Sequence, residues 1–322
     1  MIAVLPGDGI GPEVAREATQ VLDLLGLPWE EHLFGAAAIR ATGAPLPDET
    51  LEACRHAEAV LKAPVGDPEF DAAEIRPEQG MLRLRSELAV FANLRPAKDG
   101  EIDVLIVREL IGGLYYGARG VRDDGTVFDT CEYHPSQVER VVRRAFELAR
   151  DRRGHLTSVD KANVLDTSRL WRRVVNELAA DYPGVEVEHM LVDNAAMQLH
   201  SHPTRFDVIV TENMFGDILS DLAAAVTGGL GLAPSASLGE APPGLFEPVH
   251  GSAPDIAGRG IANPTAMLLS TALMLEHGLG RPEDARRLRE AVALGLEEAP
   301  TPDLGGTATT VGLGAAVRSH LT

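Results

Sequence analysis

The chain reads as an α/β protein with helices covering a largely parallel sheet. Two observations carry this reading. Short aliphatic or β-branched runs recur along the sequence, and stretches with apolar residues at helical spacing lie between several of them. Alternation of this kind packs each helix against the strands it joins. The 322 residues are enough for two domains, and at 45% hydrophobic they can bury a sizeable core.

In chain order, strands are expected at Ile2–Leu5, Ala59–Lys62, Val104–Val107, Leu156–Val159, Val185–Leu191 and Val208–Thr211. Pro135–Arg150 is an expected helix with Val138, Val141, Val142, Ala145, Phe146 and Ala149 on one face. Ser168–Asp181 repeats the pattern with Leu170, Trp171, Val174, Val175 and Leu178. The opening VLPGDGIGPEV is strand, glycine turn and helix. Its Gly7, Gly9 and Gly11 give G-x-G-x-G and not the G-x-G-x-x-G of a Rossmann unit. A tight turn, with Pro12 starting the helix, explains it better. Pro264–His277 is nearly all apolar, so it is expected as a buried helix capped by Asn263. Glu283–Glu298 follows as an amphipathic helix, ended by PTPDLGG. No low-complexity linker or internal repeat marks a domain boundary.

A formal charge of -19 argues against nucleic-acid and anionic-membrane partners, which reward a positive face. It leaves room for an anionic substrate held by a local arginine cluster. Cys54 and Cys131 make neither a disulfide framework nor a metal-ligand pattern. No apolar run approaches the roughly 18–20 residues of a spanning helix. The first residues run directly into IAVL with no basic segment ahead, so no signal peptide is expected and a cytoplasmic location is.

Four constellations carry chemistry. Arg85, Arg95 and Arg108 together suit a dicarboxylate, because guanidinium forks grip carboxylates bidentately. Asp217 and Asp221 are four apart and share a helix face, where like charges repel unless a cation lies between them. With Asp193 they offer oxygen ligands suited to Mg²⁺ or Mn²⁺. Lys161, at the end of an expected strand, can act as a base only where desolvation or a nearby cation favours its neutral form. The glycine- and proline-rich run FEPVHGSAPDIAGRGIANPT, Phe246–Thr265, has neither helical nor strand period and is expected as an ordered loop. His250, Asp255 and Asn263 give it hydrogen-bonding edges for a planar, hydroxyl-bearing ligand.

That run resembles the adenosine-binding loop of the β-decarboxylating dehydrogenases, the isocitrate/isopropylmalate family. The resemblance extends over essentially the whole chain through LPGDGIGPEV, FANLRPAK, RELIGGLY, DKANVL, FGDILSD, PSASLG and TPDLGG. It implies two α/β domains around a central sheet, not a Rossmann fold. Residues 1–98 with 229–322 would form a discontinuous cofactor domain, and residues 99–228 an inserted domain for dimerisation, substrate and metal. Tyr115 and Lys161 match the catalytic tyrosine and lysine. Arg85, Arg95 and Arg108 match the arginine triad for the malate part of the substrate. Asn163, Val164 and Asp193 would also line the substrate, and Met81 and Leu82 align with apolar residues that cradle an isopropyl group. Asp193, Asp217 and Asp221 match the Mg²⁺ or Mn²⁺ ligands. His250, Gly251, Ser252, Ala253, Pro254, Asp255, Ile256 and Asn263 match the cofactor loop. Asp255 favours NAD, since a carboxylate accepts the ribose hydroxyls and repels a 2′-phosphate; Arg259 lies close in sequence.

The resemblance implies a homodimer with shared active sites, in which Lys161 and Asp193 come from the neighbouring subunit. The implied reaction is NAD-dependent oxidative decarboxylation of 3-isopropylmalate, with homoisocitrate or isocitrate as alternative substrates. Ile111 stands where the family usually has Thr, and the segment between Arg95 and Arg108 is short. A non-catalytic regulatory paralogue is the alternative from another class. It would be expected to lose the lysine, the tyrosine or the metal aspartates, and all five are present. A metal-dependent hydrolase could also use three aspartates, and it would form no NADH.

Overall fold

The computed structural model describes residues 1–321. It divides into two compact units, Met1–Ala89 with the chain from Leu230 onward, and Val90–Gly229. The first unit contains strands β1 (Ile2–Leu5), β2 (Trp29–Glu31) and β3 (Ala59–Lys62), with helices α1 (Gly11–Leu24), α2 (Ala36–Thr42), α3 (Asp48–His56) and α4 (Pro77–Glu87). The second contains β4 (Ala92–Asp99), β5 (Ile102–Glu109), β6 (Arg119–Val121), β7 (Val127–Asp129), β8 (His155–Asp160), β9 (Glu186–Leu191) and β10 (Val208–Thr211). Its helices are α5 (Pro135–Arg150), α6 (Asp166–Ala179), α7 (Val192–Ser201) and α8 (Asn213–Val226). The chain then returns to the first unit with β11 (Pro234–Leu238), β12 (Gly244–Pro248), α9 (Thr265–Leu273), α10 (Pro282–Glu298) and α11 (Thr310–Leu321).

In the first unit the strand order is β2-β1-β3-β12-β11, parallel except for the β11–β12 pair. In the second it is β4-β5-β10-β8-β9, parallel except for β4–β5. The antiparallel β4 follows from its turn. Asp99 pairs with Ile102, so two residues, Gly100 at φ +53° and Glu101, close the hairpin, and a connection that short forces antiparallel strands. This is the short segment noted in the sequence. β4 pairs with β5 along all of its length, and both lie in the unit Val90–Gly229.

Each unit has its own core. In the first, Val21 of α1, Leu268 and Ala272 of α9, Leu288 of α10 and Val317 of α11 pack together. In the second, Val104, Ile106, Val159 and Ile209 from the strands meet Leu199 of α7 and Leu219 of α8. The expected face of α5 is fully buried at all six positions. Removing its three valines and Phe146 from water contributes about 1.5–3 kcal/mol each.

Three expectations shift. The apolar helix after Asn263 is α-helical only to Leu273, and Met274–Gly278 continues as a π turn in which Leu279 N–H bonds the Met274 carbonyl. The run Phe246–Thr265 is not all loop, because Phe246–Pro248 complete β12 beside β3. The cap position falls on Pro264, and Asn263, one residue before it, accepts from Thr265 N–H through Oδ1 at 2.9 Å.

The glycine turn after β1 has a packing reason. Gly9 has φ +58°, and a Cβ there would lie 2.1 Å from the Ser252 carbonyl oxygen, while Ile10 N–H donates to that same oxygen at 2.8 Å. The turn therefore holds the start of the loop that follows β12. Gly9→Ala is expected to lower unfolding free energy by about 1–3 kcal/mol, measured by urea denaturation. An unchanged midpoint would contradict this packing.

Candidate active site

In the second unit, chemistry collects at the carboxyl ends of parallel strands, where α/β proteins place their sites. Arg108 is the next-to-last residue of β5, Lys161 follows β8, Asp193 lies just past β9 in the first turn of α7, and Asp217 and Asp221 lie on α8 after β10. Neither aspartate of α8 is in the helix's first turn, whose exposed N–H groups are satisfied by Glu212. Its Oε1 accepts from Phe215 N–H at 2.7 Å and Oε2 from Met214 N–H at 3.2 Å. A simple preference of acids for a helix start therefore does not account for them.

Asp217 is where the groups converge. Its Oδ1 accepts from Arg108 Nη1, and Arg95 Nη1 lies 3.3 Å from the same oxygen. Tyr115 O–H donates to Oδ2 at 3.0 Å. Arg108 is almost wholly buried, held by Asn213 Oδ1 at 3.1 and 2.8 Å, and its guanidinium lies 5.7 Å from the centre of the Tyr115 ring. Arg95 donates to Asn93 Oδ1 and to Ser220 Oγ, both at 2.7 Å, and lies 3.4 Å from Asp221 Oδ1. Burial raises the Tyr115 hydroxyl's pKa, with the Asp217 charge adding to it. Burial also raises the Asp221 carboxyl's pKa, and the Asp217 charge pushes the same way. Two acids one turn apart, each already facing a cation, have the donor chemistry for a hard divalent ion.

Lys161 and Asp193 form a pair of their own, Nζ to Oδ1 at 2.5 Å, and the ammonium holds the Asp193 carboxyl below its usual range. Buried Asp160 fixes the Lys161 turn. It binds Arg172 through two contacts of 2.8 Å and accepts from Ala162 N–H. Asn163 and Val164 are exposed beside it. Among the described residues no three acids, histidines or cysteines lie together as a metal cage. Asp193 therefore does not join Asp217 and Asp221 within one chain.

In the first unit, α4 carries Met81, Leu82 and Arg85. Met81 is buried, and Arg85, one turn later, shares its face. Arg85 Nη2 donates to buried Glu247 at 3.1 Å, Lys62 Nζ meets the other oxygen of Glu247 at 2.8 Å, and Arg85 Nε is buried without a partner. These two cations hold Glu247 at about 2 despite its burial.

The loop after β12 carries hydrogen-bonding groups of its own. Burial lowers the His250 pKa, and its Nδ1 faces the Gly251 carbonyl at 3.0 Å, so Nδ1 carries the hydrogen. That leaves Nε2 as a buried acceptor with no partner. Ala253 adopts φ +40°, a strained conformation for a non-glycine residue. Gly251, Pro254 and Asp255 are exposed, Ser252 is buried and Ile256 half-buried, and Asn263 is fixed by Asp303 at 3.0 Å. Arg259 is exposed, as Asp255 is.

Sequence reasoning missed Asn93, Asn213, Ser220 and Glu247, which hold the arginines, and Lys62, which pairs with Glu247. It also missed Glu109, Tyr133 and Glu212. A buried lysine in a strand leaves no periodic signal, and the partners of an arginine 100 residues away are set by strand order.

The family model for isocitrate/isopropylmalate dehydrogenase matches residues 1–317. A protein of Zymomonas mobilis named 3-isopropylmalate dehydrogenase is 52% identical, over 99% of both chains. One of the same name from Oceanobacillus iheyensis is 52% identical over 90% of this chain and 86% of its own. The crystal structure of an isocitrate dehydrogenase from Methylococcus capsulatus superposes with TM-score 0.93 at 39% identity, covering 99% of this chain and 98% of that one.

Burial raises the Glu109 carboxyl to about 7 from its ordinary 4.5. Between those values the folded state holds a proton that the unfolded chain has released. Stability from this group therefore falls as pH rises through that window, by roughly 1 kcal/mol per unit. Denaturant unfolding of Glu109→Gln should show a flatter pH slope than the parent; an equal slope would contradict the assignment.

Proposed function

The chain belongs to the isocitrate/isopropylmalate dehydrogenase family, and on that premise we propose that it oxidatively decarboxylates (2R,3S)-3-isopropylmalate with NAD. The product is 2-oxoisocaproate, a leucine precursor, formed in the cytoplasm. The convergence of Arg95, Arg108 and Tyr115 on Asp217 carries the reading. Two guanidinium forks, a carboxylate and a phenol meeting at one point support it.

Arg95 and Arg108 bind the malate carboxylates, and Arg85, whose Nε is free of any protein partner, completes the grip. Lys161 takes the proton from the C2 hydroxyl, through a water. Oxidation at C2 makes a β-keto acid; its C3–carboxyl bond breaks to release CO₂, and Tyr115 gives a proton to C3. Asp217, Asp221 and Asp193 would hold Mg²⁺ or Mn²⁺, which would supply Lewis acidity, and His250–Ile256 with Asn263 would hold NAD, which would supply the hydride acceptor.

The Lys161–Asp193 pair stands apart from Asp217 and Asp221 in one chain. A homodimer in which each copy lends that pair to the other's site reconciles this with a three-aspartate metal site. Asn163 and Val164 would enter the substrate pocket with it.

The isopropyl group fits Met81 and Leu82. An isocitrate-type carboxylate placed there would need a cation. Of the cations on α4, Arg85 is assigned to the malate part and Arg83 is tied to Asp48 at 2.8 Å. NADH formation should therefore favour 3-isopropylmalate over homoisocitrate, isocitrate and malate by at least ~10-fold in kcat/KM. A preference for isocitrate would overturn the substrate, and no NADH with any of them would overturn the reaction. Lys161→Ala should lower kcat by about 10²–10⁴-fold, as expected for loss of a general base.

A further inference from the structure

We propose that Tyr133 is a positioning residue that locks the Tyr115 loop to the aspartate-bearing helix α8. The inference rests on the reading of Tyr115 and Asp217 given above. Tyr133 lies outside that machinery, in the segment between β7 and α5. Its hydroxyl sits between two buried carboxylates, Glu109 Oε2 at 3.2 Å and Glu212 Oε2 at 3.4 Å. It also accepts from Asn213 N–H, the first residue of α8, at 3.0 Å. Each neighbour leads into the site by a separate path.

Glu109 ends β5 and accepts from Ile111 N–H at 3.1 Å and Gly112 N–H at 2.9 Å, so it sets the backbone that leads to Tyr115. Glu212 is the cap of α8, and its bonds to 214 and 215 set the start of the helix that carries Asp217 and Asp221. Asn213 closes the circuit: its Nδ2 donates to the Gly112 carbonyl at 3.0 Å while its Oδ1 holds Arg108. The Tyr133 ring fills the space under the loop. A Cβ on Gly112 or Gly113 would approach Tyr133 atoms to 2.6 or 2.5 Å, and Gly113 has φ +70°. Trp171 braces the ring edge-on, with centroids 6.0 Å apart.

One hydroxyl thus ties the two segments whose side chains meet at Tyr115 O–H···Asp217. Removing it leaves the Asn213 N–H without its acceptor and two buried acids without their bridge, which frees the loop and the helix to separate. The reacting distance at Tyr115 depends on that separation, and misplacement of about 1 Å can cost ~10²-fold.

The test is a double-mutant cycle in the holoenzyme. Tyr133→Phe keeps the ring and removes only the hydroxyl. The expected result is a fall in kcat of about 10-fold or more with the KM for NAD unchanged. On a Tyr115→Phe background, where the proton donor is already gone, Tyr133→Phe should lower kcat no further. The same factor on both backgrounds, or an unchanged kcat in Tyr133→Phe, would overturn the proposal. Full turnover by Tyr115→Phe alone would instead overturn the catalytic reading, and this inference with it. If Tyr133→Phe fails to fold, Glu212→Gln, which keeps an oxygen for the α8 cap, must give the same dependence on Tyr115, and additivity there counts against the proposal equally.

Discussion

The carboxylate of Asp217 is the point on which the site of the second unit depends. It accepts from Arg108 and from Tyr115, and Arg95 lies 3.3 Å away. Two of these three come from the β4–β5 hairpin and one from the loop that follows it. A buried guanidinium without an anion is costly, so Arg108 fixes Asp217 as firmly as Asp217 fixes Arg108. Asn213 adds a second restraint on Arg108 from the same helix. The outcome is a hydrogen-bonded pair, Tyr115 with Asp217, held in place by buried cations.

The two units use the same physical plan for different chemistry. In the second, parallel strands end in charged side chains: Arg108, Lys161, Asp193 and the α8 aspartates. In the first, the parallel strands β1, β3 and β12 end in glycine turns and a loop that offers backbone groups and the unpartnered Nε2 of His250. Backbone groups and a neutral ring nitrogen, as in the first unit, suit polar, hydroxyl-rich ligands. Arginines beside carboxylates, as in the second unit, suit an acidic ligand and a hard cation.

Much of this was legible in the sequence because motif residues sit at strand ends, and strand ends are marked by abrupt loss of the aliphatic run. Ile2–Leu5, Ala59–Lys62, Val208–Thr211 and Pro135–Arg150 appear where their patterns place them. Strands β2, β6, β7, β11 and β12 were missed. β2 is three residues long and half exposed, and β11 reads PSASL, with little of the usual strand composition. The antiparallel β4 was hidden too, since pairing direction depends on the two-residue turn at Gly100. Arg95, Arg108, Asp217 and Asp221 were chosen as chemistry-bearing residues, and the structure brings them together. Their supports were invisible because Asn93, Asn213 and Ser220 are ordinary polar residues until the fold sets an arginine against them.

The most direct test of the account concerns how the catalytic set is divided. On the proposed reading, Tyr115, Arg95, Arg108, Asp217 and Asp221 serve one site, and the Lys161–Asp193 pair serves the site of another copy. Co-refolding Lys161→Ala chains with Tyr115→Phe chains, each nearly inactive alone, measures this through NADH formation by the mixture. A shared site predicts recovery of about a quarter of the parent activity, because half the dimers are mixed and each of those holds one intact site. A mixture no more active than its two components would show that every group acts within its own chain, and the division proposed here would be wrong.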